Sequence, residues 1–141
     1  MKLSEAELYN LVLKVNKAFY ERVYKDEWMS QIFRGVGQDH IEHQQTDFMV
    51  AAFGGPDRFF GKIPKDAHPH IYVDEEMWNL REKFLLEALE EVQAPAWMRD
   101  KWVKIDNSFK AKIMKNSVAD CQKRYFSDEI INIPKPIKRA G

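Results

Sequence analysis

The segment Asp66-Ala67-His68-Pro69-His70 holds two of the four histidines, between a glycine stop at Gly54-Gly55-Pro56 and an acidic helix start at Asp74-Glu75-Glu76. The other two, His40 and His43, stand one helical turn apart beside the adjacent amides Gln44 and Gln45. Those amides share a helix face with Ile41, Phe48, Met49 and Ala52. A buried amide without a partner costs roughly 1–3 kcal/mol. Polar residues on such a face therefore either lie at its edge and meet water or point at a ligand. Four imidazoles suggest a zinc site, but structural zinc sites are usually rich in cysteine and catalytic ones keep three close ligands. No His-Glu-x-x-His motif is present. A single imidazole can instead hold haem iron, with polar groups on the far side deciding what the sixth position does. His68, on a segment flanked by Phe59, Phe60, Ile63, Ile71 and Tyr72, suits the first role, and Gln44 and Gln45 suit the second. Taken alone, any one histidine is more often a surface or satisfied core residue.

Helix signals position these residues. Ser4 with Glu7 forms a capping-box pattern, and Leu8, Leu11, Val12, Val15, Phe19 and Val23 recur as one helical stripe that should end near Lys25-Asp26. A short turn through Trp28, Met29 and Ile32 leads to Phe33, and Gly35 and Gly37 break the chain. Asp39 is the expected cap of a second helix, which Gly54-Gly55-Pro56 terminates. Residues 56–72 form the longest irregular stretch, a length usually kept for function. Asp74 caps a third helix bearing Trp78, Leu85 and Leu89. Pro95 starts the last, through Met98, Trp102, Ile105, Phe109 and Ile113 and on to Met114, Val118 and Cys121. From Ser127, three isoleucines and two prolines predict an extended tail lying on the body. The organisation expected is an all-α domain over 1–126 and a C-terminal extension over 127–141.

The 141 residues make one domain by size. With 22 basic and 22 acidic residues there is no surplus for nucleic acid or an anionic membrane. No apolar run approaches eighteen residues and no charged-then-apolar leader is present, so a soluble cytoplasmic chain is expected. The single Cys121 excludes an internal disulfide and suits a reducing compartment. Aromatic content of 13% fits either a packed helical core or an apolar pocket for a flat ligand, and composition does not choose.

Phe19-Tyr20-Glu21-Arg22-Val23, Ile32-Phe33, Ala51-Ala52-Phe53-Gly54-Gly55-Pro56, then His68 and Trp78 form an ordered set that resembles the truncated (2/2) haemoglobins, nearest group I in spacing. The likeness runs from about Phe19 to Trp78 and more loosely into the last helix. It implies a globin-like 2-over-2 helical sandwich, a long ordered loop before the proximal histidine, and haem b (iron protoporphyrin IX). By that resemblance His68 matches the iron ligand and Tyr20 the distal tyrosine whose hydroxyl bonds to bound dioxygen. Gln45 matches the distal glutamine, Phe33 the ring against the haem, and Ile41, Gln44, Phe48 and Met49 the pocket lining. Trp78, Leu85 and Leu89 match proximal or floor contacts, and Lys65, with Lys62, is a candidate for pairing with a propionate. His70 matches no ligand and is expected to be exposed or set behind His68, while His40 and His43 are expected to point away from iron.

The role the resemblance implies is reversible binding of dioxygen, carbon monoxide and nitric oxide by a monomer or weak dimer. That chemistry serves oxygen transport, redox or gas sensing, peroxidase-like turnover, or nitric oxide dioxygenation. The last needs a reductase partner, since no flavin or nicotinamide motif is present. The alternative from another class is a haem-free helical interaction or sensor module on the same scaffold. Two departures stand out. No glycine pair divides the first helix, which implies one merged N-terminal helix, and the tail after Ser127 exceeds the usual length.

Overall fold

Ser4 closes the predicted capping box: its hydroxyl accepts from the Glu7 amide and the Glu7 carboxylate accepts from the Ser4 amide, each at 3.1 Å. From there helix α1 runs unbroken over Glu5–Lys25, so the merged N-terminal helix is real. The computed structural model describes residues 3–59 and 67–136, and among them α1 is followed by α2 (Gln38–Ala52), α3 (Glu75–Glu91) and α4 (Ala96–Ile113). Short 3₁₀ helices occupy Met29–Phe33 and Val118–Asp120. The described residues form no strand, only one isolated parallel bridge between Ile71 and Ile131. No helix among them is long and apolar enough to cross a membrane.

Helix α1 packs against α2 and α3. Its Val12, Val15, Phe19 and Val23 meet Met49 and Val50 of α2, Leu85, Ala88 and Leu89 of α3, and Met98 and Trp102 of α4 in the main core. A second, smaller core gathers Trp28, Val73, Met77, Trp78 and Ile113. Each fully buried side chain of this size contributes about 1.5–3 kcal/mol, so the stripe of α1 is the principal seam of the fold.

Two boundaries differ from expectation. Helix α2 begins at Gln38, because the Gly37 carbonyl accepts from the Ile41 amide at 3.1 Å, and Asp39 lies in the first turn instead of capping it. Helix α4 stops at Ile113, not near Cys121. Beyond it the backbone bonds sideways: the Lys115 amide donates to the Val73 carbonyl at 2.9 Å and the Gln122 amide to the Pro69 carbonyl at 2.8 Å. The irregular 67–73 segment offers carbonyls that need partners, and the chain leaves its helix to satisfy them. The tail continues this. Ile131 donates to His70 and accepts from Tyr72, each at 2.8 Å, and the Trp28 indole donates to the Ile133 carbonyl at 2.7 Å.

The end of α2 is a Schellman motif. The Gly54 amide bonds the Ala51 carbonyl and the Gly55 amide the Val50 carbonyl, with Gly54 at φ +90°. A Cβ on Gly55 would lie 2.7 Å from Val50 Cγ1 and 3.0 Å from the Val50 carbonyl oxygen, leaving no room for a methyl group. Gly55→Ala is expected to lower unfolding stability by about 1–3 kcal/mol in urea titration; an unchanged midpoint would show that the turn relaxes freely.

Candidate functional site

A cavity of about 680 Å³ opens between α1, the 29–37 turn, α2, the 67–73 segment, α3 and α4. It lies within the roughly 300–1,000 Å³ usual for cofactor and ligand sites. Tyr20, Phe33, Ile41, Gln44, Gln45, Phe48, Met49, His68 and Leu85 all line it. Trp78 and Leu89, expected as contacts, stand behind this lining: Trp78 is fully buried in the smaller core and Leu89 in the main one. Lys65 and Lys62 lie outside the described residues.

Tyr20 enters from α1 and is held edge-on between Phe19, ring centroids 4.9 Å apart, and Phe33, at 5.7 Å. Burial pushes its phenol well above the ordinary tyrosine value, and the positive Arg81 guanidinium partly offsets this. The hydroxyl therefore keeps its proton across physiological pH and acts as a donor.

Helix α2 has two working faces, and the sequence pattern separates only one. Ile41, Gln44, Gln45 and Phe48 are half-buried and face the cavity, which resolves the amides as lining residues. The face toward α1 buries Glu42 and Thr46 with Met49 and Val50. Those polar groups are satisfied. Asn16 Nδ2 donates to Thr46 Oγ1 at 3.0 Å, Thr46 Oγ1 donates to the Glu42 carbonyl at 2.7 Å, and Lys17 and Gln38 reach the Glu42 carboxylate. A satisfied network fixes the rotation of α2 about its axis more tightly than apolar packing alone, and hence fixes where Gln44 and Gln45 point. Asn16, between Val15 and Phe19 in an apolar stripe, was the available sign of it.

The 67–73 segment presents His68 and His70 to the same cavity. Of the two expectations for His70, exposed or set behind His68, its burial excludes the first, and its Nδ1 makes no hydrogen bond among the described residues. Burial, reinforced by Arg124 and Lys115, holds its imidazole below the ordinary histidine value. His40 is exposed at the rim, and His43 is half-buried on the solvent side with Nδ1 donating to the Asp39 carbonyl at 2.9 Å. No three His, Cys, Asp or Glu among the described residues are gathered to hold a metal ion, so the four histidines form no zinc cluster there.

Two further lining residues escaped the sequence reading. Arg81 of α3 and Asp106 of α4 form a two-pronged ion pair, Nη1 to Oδ2 at 2.7 Å and Nη2 to Oδ1 at 2.6 Å. They are far apart in sequence and no local pattern links them.

The bacterial-like globin family model matches residues 8–115, most of the chain. The chain belongs to the truncated (2/2) haemoglobins, in group I. Its sequence is similar to the group 1 truncated haemoglobin of Tetrahymena pyriformis, 40% identical over 50 residues, or 36% of this chain and 41% of that protein. It is similar to GlbN of Mycolicibacterium paratuberculosis at 31% over 78 residues, 55% of this chain and 57% of that protein. The matched stretch thus spans about half the length of these relatives. A crystal structure of the Tetrahymena pyriformis protein in its Fe(III) form superposes with TM-score 0.68 and 22% identity, covering 81% of this globin and all of that chain. That likeness shows the fold.

The globin's own residues fit a haem. The cavity has the required size, largely apolar walls, a protonated phenol and two amides from α1 and α2, and imidazoles from the 67–73 segment. That segment is held from the C-terminal side. Lys115 Nζ donates to the carbonyls of His68, Ile71 and Ile113 at 2.8, 2.6 and 2.9 Å. Replacing Lys115 by Met would take one hydrogen bond from each of three part-buried carbonyls, of which that of His68 keeps the Ile71 amide at 3.1 Å, at roughly 0.5–1.5 kcal/mol per bond. Lys115→Met is therefore expected to raise amide hydrogen exchange in residues 67–73 at least tenfold, and unchanged exchange would show that the ammonium is not what holds the segment.

Proposed function

We propose that this globin binds b-type haem through His68 and reversibly binds dioxygen and related diatomics, carbon monoxide and nitric oxide among them, on the side of Tyr20 and Gln45. The observation that carries this reading is that one cavity brings His68, from an irregular segment, together with the Tyr20 hydroxyl and the Gln44–Gln45 pair from two helices. When bound, the haem supplies an iron centre able to take a small diatomic ligand. The remaining work belongs to the chain. His68 offers an imidazole from a segment whose backbone is tied down by Lys115. Phe33, Ile41, Phe48 and Met49 wall the ligand side with apolar surface. Tyr20 O–H donates a hydrogen bond to the ligand's outer atom, and Gln45 orients the phenol.

Hydrogen bonds to charged acceptors are worth roughly 1.5–3 kcal/mol, or about ten- to a hundredfold in dissociation at 1.4 kcal/mol per decade. Tyr20→Phe is expected to raise the dioxygen off-rate more than tenfold, measured by stopped-flow displacement; an unchanged rate would remove Tyr20 from this role. His68→Ala is expected to purify without stoichiometric haem, read from the haem-to-protein absorbance ratio. Spectra of the ferric, reduced and carbon monoxide-treated protein test the whole reading. A Soret band that shifts with carbon monoxide supports it, and no Soret band after hemin is supplied leaves the fold without this function. Nitric oxide dioxygenation fits the same residues and calls for an external reductase.

A further inference from the structure

A half-buried arginine lines the cavity close enough to act on the Tyr20 phenol, and the dioxygen-binding role does not require it. Arg81 lies over the Phe19 ring at 5.7 Å and the Trp78 ring at 4.8 Å, and Phe19 in turn packs edge-on against Tyr20. Asp106 holds it by the two-pronged pair already described, which leaves 27% of the Arg81 side chain and 8% of the Asp106 side chain exposed. A guanidinium carries five N–H donors in a rigid fork. Asp106 occupies two of them, and among the described residues Arg81 makes no other hydrogen bond. Donor hydrogens therefore remain on a group that lines the cavity, flanked by aromatic faces and pre-oriented by a carboxylate.

Stability alone does not account for the pair. Replacing a buried ion pair with apolar residues of similar volume is often neutral or stabilising, and apolar side chains would bridge α3 and α4 equally well. What the pair supplies is a fixed cation whose charge is balanced while no ligand is present, with hydrogen-bond donors ready for an anion.

We propose that Arg81, positioned by Asp106, makes this cavity selective for small monovalent anions of the azide and nitrite type, with Tyr20 O–H as the second donor. The inference rests on the haem-binding reading, since the iron is the anion's other contact. Arg81 is the specificity-determining residue and Asp106 its positioning residue.

The test is equilibrium titration of the ferric haem-loaded protein with sodium azide, sodium nitrite and neutral imidazole, following the Soret band. The variants are Arg81→Lys, Arg81→Met, and the double variant Arg81→Met/Asp106→Leu, which keeps the assay usable if a stranded Asp106 unfolds the single one. In both Met variants azide and nitrite affinity is expected to fall about tenfold or more, the scale of one charge-assisted hydrogen bond, while imidazole affinity stays within about threefold. Arg81→Lys keeps the charge without the fork and is expected to recover only part of the loss. Equal changes for anions and imidazole, or none, overturn the proposal. Faster haem loss with unchanged anion affinity also overturns it, because Arg81 would then be holding the haem itself.

A haem-free measurement separates the two readings. Proton NMR of the apoprotein, with Tyr20→Phe to assign the Tyr20 ring signals, reports the phenol directly, and adding sodium azide is expected to shift those signals in the wild type and not in Arg81→Met. If wild-type protein takes up no haem, the functional reading fails, and Tyr20 signals that azide leaves unmoved then overturn the anion site as well.

Discussion

Three main-chain carbonyls, those of His68, Ile71 and Ile113, converge on one ammonium at Lys115, and the site depends on that convergence. From His68 to Val73 the chain has no helix and only the isolated Ile71–Ile131 bridge to satisfy its polar groups, and buried backbone groups must find partners. Here the partners come from residues well beyond it: Lys115, Gln122 and Ile131 by hydrogen bonds to the backbone, and Arg124, whose Nη1 donates to the Ala67 carbonyl at 3.3 Å. Burial holds the Lys115 ammonium below the ordinary lysine value, as the loss of water around a charged group requires. The segment that presents His68 is thus as well bonded as a helix, by contacts no helix would make.

The opposite wall is built on a different principle. Asn16, Thr46 and Glu42 satisfy one another where α1 meets α2, and through them the cavity-facing amides acquire a direction. Tyr20 and Asn16 belong to the same helical span, so the hydroxyl and the network that orients its neighbours move together. An interrupted N-terminal helix would have left two bodies to align.

Much of this was visible in the residues. The capping box, the unbroken first helix, the glycine stop and the Asp74 cap are local chemistry, and local chemistry is what a sequence displays directly. Spacing put Ile41, Gln44, Gln45 and Phe48 on one face of α2 and left the amides either at its edge or facing a ligand; the lining role came from the family resemblance. What stayed hidden depended on distant partners. The Asp39 cap gave way to Gly37 because a main-chain carbonyl reached the Ile41 amide first. The end of α4 was decided by the needs of the 67–73 segment, which Met114, Val118 and Cys121 do not announce. Arg81 and Asp106 carry no local sign of their pairing, which only the fold creates. Whether His70 lay exposed or behind His68 stayed open because its burial depends on a tail whose path is itself a tertiary outcome.

The bonds that finish the His68 segment have long sequence separations: Lys115 lies 47 residues beyond His68, and Ile133 lies 105 beyond Trp28. Contacts of that kind bear the largest loop-closure cost and tend to form late. A chain emerging from the ribosome can complete the α1–α2 wall, with Tyr20 and Gln45, long before the segment carrying His68 has anything to bond to. The order of assembly written into this topology therefore has the α1–α2 wall first and the imidazole wall last, so that the cavity is completed only when the C-terminal residues have joined it.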